Sequence, residues 1–324
     1  MGKYILRRLA LLVPTLIGMS IIIFTMVRLM PGDIVDALVG MDNQVTPEAK
    51  AELRRAFGLD DPIPVQYAKW VYQISQGDLG TSYRTRQPIT EQLVRALPVT
   101  IELALMALFM SVVIAVPLGV ISAIRRNSAV DFAVRFAALI GLAFPNFFLA
   151  TLFLLGTSLL FHWIPSVFYV SIFDNPAKNL VQFFFPALSL AVALMAVEMR
   201  MARTSMLEVL RQDYVRTALA KGLESTVVNY KHALRNAFIP LITVIGIQMG
   251  GLLGGSVIIE QIFGLPGVGW YLLQGIQGRD YPVVQVTALF LAIVFAVMNL
   301  IVDILYGFLD PRIGHETASE SSAD

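Results

Sequence analysis

The sequence predicts an all-α polytopic membrane protein with six transmembrane helices and a small extracytoplasmic helical cap. Three observations carry that prediction. Of the 324 residues, 56% are hydrophobic and 15% charged, whereas typical soluble domains carry about 25% charged residues. The apolar excess is gathered into six runs of 19 or more residues without a formal charge. At ~1.5 Å rise per residue, helices of that length cross a ~30 Å hydrocarbon core. Lysine and arginine also alternate in density between successive connections, which orients the runs.

The runs are Leu9–Val27, Leu103–Ile124, Phe136–Phe161, Asn179–Val197, Asn236–Ile259 and Tyr281–Val302. Backbone amides in lipid have no water to bond, so the helix is the form these lengths permit. The fourth run has the least support, being short and containing Pro186. With the N-terminus inside, fourteen Lys or Arg fall on cytoplasmic pieces, against Lys178 and Arg279 in the short outer loops. The long outer segment carries seven more, but long loops are exempt from the rule. Both termini are therefore expected in the cytoplasm. The basic residues ahead of the first run resemble a secretory signal. However, that run is long and no small-residue cleavage site follows, so an uncleaved helix is expected.

Four regions follow: an N-terminus and first helix over 1–30, an outer segment 31–98, a five-helix core 99–309, and a tail 310–324. The outer segment is too long for a passive connection. Thr46-Pro47-Glu48 reads as a helix start, with an N-cap, a proline at the first position and a carboxylate at the positive end of the dipole. Gly58 is the expected stop. Val65–Ile74 forms a second amphipathic piece, with Trp70 and Tyr72, and Pro88–Leu97 leads into the second span. Such a cap either shields the helix ends or receives a soluble partner. The polar, acidic tail His315–Asp324 is expected to be disordered.

Several functions are disfavoured outright. A net charge of +1 gives no basis for a nucleic-acid partner, and without cysteine there are no disulfides, thiolate nucleophiles or cysteine metal ligands. His162, His232 and His315 are scattered and form no H-x-x-x-H pair.

Residues 208–236 form a charged island between two apolar runs, on the cytoplasmic side, within a loop spanning 203–236. Val215, Ala218, Leu219 and Gly222 recur at helical spacing and place a small apolar stripe on one face. Arg216 and Lys221 lie off it. Asp213 suits the N-terminal end of the dipole and Gly222 a left-handed stop. A short helix with one apolar face and cationic flanks fits a groove of another protein. The plainer readings are a helix lying on the bilayer or an ordinary cytoplasmic hairpin.

The phrase DYVRTALAKGL…HALRNAFIPLI resembles the signature loop of ABC-importer permeases, in the form found in dipeptide and oligopeptide permeases. The general pattern is E-A-A-x3-G-x9-I-x-L-P. Here Arg216-Thr217-Ala218 stands in place of E-A-A, and His232-Ala233-Leu234-Arg235 in place of I-x-L-P. The contacts of the usual glutamate therefore do not carry over to Arg216. LRRLALLVPTLIG, MPGD, FGLDDPIPVQYAKW, GDLGTSYRTRQP, LPVTIELALMAL, IFGLPGVGWYLLQGIQGRDYPVVQ and LYGFLDPRI extend the likeness over residues 1–313.

The resemblance implies the fold of a type I ABC importer permease, and within it the B-type subunit with a long first outer loop. It also implies a second homologous permease, two cytoplasmic ATPases that carry ATP and Mg, and an extracytoplasmic solute-binding protein. On it, the residues that meet the ATPase are Asp213, Tyr214, Val215, Arg216, Ala218, Leu219, Lys221, Gly222, His232 and Arg235. The chain has no G-x-x-x-x-G-K-[ST] loop to cradle nucleotide phosphates, so it is expected to be a transport subunit without a cofactor of its own. Alternating access is the implied mechanism. Dipeptides or oligopeptides are the implied cargo, although permeases with this signature also move nickel chelates, glutathione or oligosaccharides.

Gly246, Gly250 and Gly254 recur every four residues in the fifth run, a spacing that lets helix backbones approach in lipid; a hinge is the alternative. Asn146, Gln248 and Asn299 are uncharged polar residues inside runs and so candidates for the translocation path, or simply interhelical bonds. Glu102, Glu198, Glu260 and Asp303 lie near run ends, where structural contacts are expected of them. An ion-coupled secondary transporter would call for mid-membrane carboxylates and inverted repeats. A membrane hydrolase would need a nucleophile with its base, or H-E-x-x-H. None of these patterns is evident.

Overall fold

The computed structural model describes residues 2–29, 35, 46–56, 58–162, 164, 166 and 168–309. The chain is helical in order: α1 (Gly2–Leu29), α2 (Pro47–Ala56), α3 (Ile63–Ser75), α4 (Ile89–Ile124), α5 (Ala129–Ala143), α6 (Asn146–Phe161), α7 (Pro176–Val209), α8 (Asp213–Ala220), α9 (Leu234–Phe263), α10 (Val268–Gln277) and α11 (Tyr281–Leu309). Among the described residues, five helices are long and apolar enough to cross a membrane, and two bent pairs add up to two more. The predicted tail His315–Asp324 and the phrase MPGD lie outside the described residues.

The longest helices, α4 with 36 residues and α7 with 34, form the central pair. At ~1.5 Å per residue they extend ~54 and ~51 Å, well beyond the ~30 Å apolar core. The predicted lead-in Pro88–Leu97 is thus the outer end of the second span itself, continuous through Pro98. Their seam closes on small residues. A Cβ on Gly119 would lie 2.7 Å from both the Ala202 Cβ and the Met199 carbonyl oxygen. Val99, Leu103, Phe183, Leu190 and Ile259 fill one half of the core. Val120, Met206 and Leu241 fill the other half. Side chains such as Phe109, Leu159 and Leu160 face outward, as lipid-facing residues do.

The third predicted run is not one helix. α5 and α6 meet at 98° across Phe144-Pro145. Pro145 lacks the amide hydrogen that would continue the helix and drives Phe144 into extended backbone, φ −98° and ψ 128°. The fourth run, with Pro186, is continuous within α7. A second bend, of 76°, separates the end of α9 from α10, where Gly264 takes up a left-handed φ of 67°.

The cap is small. The Thr46 hydroxyl accepts from Ala49 N–H at 3.4 Å, and α2 closes at Gly58, whose φ is +63°. α3 docks on α1 through Phe24 against Tyr67 and Trp70, and Ser20 and Tyr67 share a hydrogen bond of 2.7 Å. α1 in turn packs along α11.

Candidate functional site

Helix α8 stands out from the bundle as a short, well-terminated rod. Its C-terminus is closed by two bonds, Gly222 N–H to the Leu219 carbonyl (2.9 Å) and Leu223 N–H to the Ala218 carbonyl (3.3 Å), with Gly222 at φ +82°. That pairing satisfies carbonyls a helix end otherwise leaves open, and it needs the conformational freedom of glycine. Asp213 opens the helix and pairs with Arg216 at 3.5 Å, both exposed.

The predicted apolar stripe does not form a single face. Val215 is 2% exposed and anchors the rod to the body, whereas Leu219 is 46% exposed. Ala218 is half-buried between them. The outward apolar surface is instead Tyr214, Leu219, Leu223, Val227 and Tyr230, flanked by exposed Arg216, Lys221 and Arg235. The stripe was drawn on an isolated helix; the chain on either side of α8 decides which residues turn inward.

A side-chain bond joins this rod to the membrane helix that follows. Asn236 Nδ2 donates to the Tyr214 hydroxyl at 2.8 Å and to the His232 carbonyl at 3.2 Å. Between them runs a wide π turn, Val228–Ala233, in which Leu234 N–H reaches back five residues to the Asn229 carbonyl. Val228 and Ala233 are buried, so the turn is fixed at both ends. Sequence reasoning singled out His232 and Arg235 but missed Asn236, whose only signal was a polar residue one turn from that motif.

Three helices meet on one carboxylate. Asp131 of α5 accepts from Arg203 Nε (2.7 Å) and Nη2 (2.9 Å), both on α7. It also accepts from the Ser122 hydroxyl of α4 (2.6 Å) and from Asn127 N–H (2.9 Å). A forked, buried pair of this kind sets geometry as well as charge. Arg203 entered the sequence argument only as a cytoplasmic cation.

At the opposite end a second buried carboxylate fixes the α9–α10 bend. Glu260 accepts from the Thr100 hydroxyl (2.8 Å) and Trp270 N–H (2.8 Å), and Thr100 accepts from Val268 N–H (2.9 Å). Any side chain at Gly267 would collide with this carboxylate. The cap is held by Asp280, which accepts from the Ser82 hydroxyl (2.6 Å) and from the amides of Tyr83 and Arg84 (3.3 and 3.2 Å). Glu102 accepts from the Tyr169 hydroxyl at 2.8 Å. Burial, then that carboxylate, pushes the Tyr169 phenol up to about 12. Glu198 accepts from the Ser111 hydroxyl at 3.1 Å. Asp303 lies outside the described side chains.

The predicted path residues are not gathered into one site. Asn146 opens α6 at the 98° break. Gln248 Nε2 donates to the Leu194 carbonyl at 3.4 Å. Asn299 abuts Gly250, where an added Cβ would lie 2.6 Å from its Oδ1. The glycine series also divides. Gly246 packs on Val302, at 2.6 Å from an added Cβ, but Gly254 meets nothing within 4 Å. α9 therefore makes its close approach to α11 over one turn, and Gly254 faces open space. Nothing in the sequence spacing distinguished the three.

Long apolar helices thus surround a paired central seam, with a short capped rod at one end. Residues 115–315 match the family described as binding-protein-dependent transport system inner membrane component, and residues 1–104 match its N-terminal region. The chain belongs to that family and is the permease component of an ABC import system, working with ATPase and binding-protein partners. It is 41% identical to a dipeptide transport system permease of Alkalihalophilus pseudofirmus, over 97% of this chain and 99% of that one. It is 38% identical to a di/tripeptide transport system permease of Pseudomonas aeruginosa, over 98% and 100%. A solved structure of the inward-facing MetNI methionine ABC transporter superposes with a TM-score of 0.56 at 19% identity, covering 68% of this chain and 96% of its own. The fold is that of a type I ABC importer permease.

Proposed function

We propose that this chain is the B-type permease subunit of an importer for dipeptides and short oligopeptides. It forms the pathway with a second homologous permease, and two cytoplasmic ATPases binding ATP and Mg drive it. An extracytoplasmic binding protein delivers the peptide to the cap side. Both termini and α8 are then cytoplasmic, in keeping with the distribution of Lys and Arg. The peptide permeases to which the chain is 38–41% identical over nearly full length support the cargo.

The observation that carries the mechanism is the coupling geometry. α8 offers Leu219, Leu223, Arg216 and Lys221 to a partner. Val215 is buried, and the Tyr214–Asn236 bond connects the rod to the start of α9. Displacement of the rod by ATPase closure is passed to a membrane-spanning helix, and the bundle exchanges inward-facing for outward-facing packing. Asp131–Arg203 keeps the inner ends of α5 and α7 moving together.

The test is reconstitution of the permease pair with its ATPases and binding protein in proteoliposomes. Dipeptide uptake should require ATP and the binding protein. Uptake that persists on a proton or sodium gradient without the ATPases would replace this reading with a secondary transporter.

A further inference from the structure

A groove of about 180 Å³ opens between α5 and α7, the two helices joined by the Asp131–Arg203 pair. Ala138 and Leu142 from α5 and Met199 from α7 give it apolar walls. Arg135, Arg200 and Arg203 also line it, and among the described residues no acidic side chain does. Arg203 is committed to Asp131, which is itself fully buried. Arg135 and Arg200 are exposed, and neither has a carboxylate partner among the described residues. The Arg135 guanidinium lies over the Phe132 ring, 5.7 Å from its centroid. The ring covers one face of the group and leaves the in-plane N–H donors to an oxyanion.

Size, surroundings and depth restrict the occupant. A groove of 180 Å³ is smaller than the ~300–1,000 Å³ that encloses a whole small molecule, so its occupant extends out of it. Leu139 both lines the groove and is 63% exposed, and Phe132 and Phe136 continue that apolar surface along α5. Arg135 immediately precedes the uncharged run that begins at Phe136, and Arg200 lies three residues past Val197, where the fourth run ends. Both guanidinium groups thus stand where hydrocarbon gives way to headgroups, the level to which long cationic side chains extend. A free phosphate leaves the apolar walls unused. An anionic phospholipid uses the whole groove, with its phosphate at the arginines, one acyl chain against the walls and the remainder along α5. Basic pockets between membrane helices hold such headgroups.

We propose that this groove is a binding site for an anionic glycerophospholipid, which bridges α5 and α7 beside the Asp131–Arg203 pair. It is independent of which substrate the permease carries. The experiment uses the assembled permease pair with its ATPases in phosphatidylcholine nanodiscs containing a trace of phosphatidylglycerol with a photoreactive acyl chain. Crosslinking is expected within 134–142 or 199–204, competed by unlabelled phosphatidylglycerol but not by added phosphatidylcholine or inorganic phosphate. Arg135→Gln and Arg200→Gln should each weaken the affinity read from that competition about fivefold, the weight of one cation at an anionic surface. Both side chains are exposed, so neither variant threatens the fold. Arg125→Gln combined with Arg126→Gln removes two exposed charges outside the groove and should change the affinity by less than about twofold, because salt screens such charges. No crosslink in those peptides, competition by phosphatidylcholine, or an equal loss in the Arg125 and Arg126 variant overturns the site. Displacement by inorganic phosphate gives the groove to a free anion, and capture of a neighbouring subunit by a thiol-reactive crosslinker at Leu139→Cys gives it to a protein; either result overturns the lipid. Uptake is not measured, so each outcome bears on the site alone.

Discussion

Asn236 donates its side-chain amide to the Tyr214 hydroxyl at 2.8 Å, across the loop that separates the rod α8 from the membrane helix α9. The contact spans 22 residues of chain and bypasses the wide turn between them. It gives α8 a second mechanical connection to the bundle, beside the backbone.

Tyr214→Phe removes this bond while keeping the ring. A neutral hydrogen bond is worth about 0.5–1.5 kcal/mol, and an exposed one lies at the low end. Assembly with the ATPases should be unchanged, but peptide transported per ATP hydrolysed should fall two- to fivefold. The measurement is the ratio of uptake to phosphate release in proteoliposomes. An unchanged ratio would show that the backbone alone carries the motion.

Gly222→Trp should abolish uptake while leaving membrane insertion intact. The left-handed backbone at Gly222 costs a residue with a side chain about 1–2 kcal/mol. An added Cβ at Gly222 meets nothing within 4 Å, so the new side chain leaves from an open surface rather than from the core. Insertion can be scored by protease protection and uptake by labelled dipeptide. Normal uptake would remove α8 from the coupling role.

Asp131→Leu should lower the stability of the purified complex by about 3–5 kcal/mol, because it strands the Arg203 guanidinium in a largely buried position. The double variant Asp131→Leu with Arg203→Leu should recover most of that loss, since neither charge then remains to be solvated. Unfolding midpoints of the single and double variants in detergent provide the cycle. Equal losses in both would mean that shape, not charge pairing, sets stability there.

Deletion of Thr46–Leu59 should reduce stimulation of ATPase activity by the binding protein more than it reduces assembly with the ATPases. α2 is remote in sequence from α8, and α3 retains its own contacts to Phe24 and Ser20. Parallel loss of both activities would mark the cap as purely structural.

Hydropathy made the spans legible, and cap chemistry made Thr46, Gly58 and Gly222 legible, because both signals are local. The two prolines show where local reasoning stopped. Pro186 suggested a weak span, but its neighbours Phe183, Ala187 and Leu190 are buried between α4 and α9, and the helix runs on without a break. Pro145 lies between exposed Phe144 and Phe147, and with little packing to oppose it the helix breaks. The polar nodes were hidden for a different reason. Arg203 is 72 residues from Asp131, Thr100 is 160 from Glu260, and Ser82 is 198 from Asp280. No periodicity links partners so far apart. The glycine series in α9 was visible, but which members meet another helix depends on where α11 ends up.

The π turn at Val228–Ala233 stores one surplus residue in the helix backbone. Were that surplus to migrate toward the membrane, the segment it passed would revolve about its own axis by roughly 100°, the arc one residue subtends. A push on α8 can in this way become rotation of α9 without any hydrogen-bonded turn being lost outright.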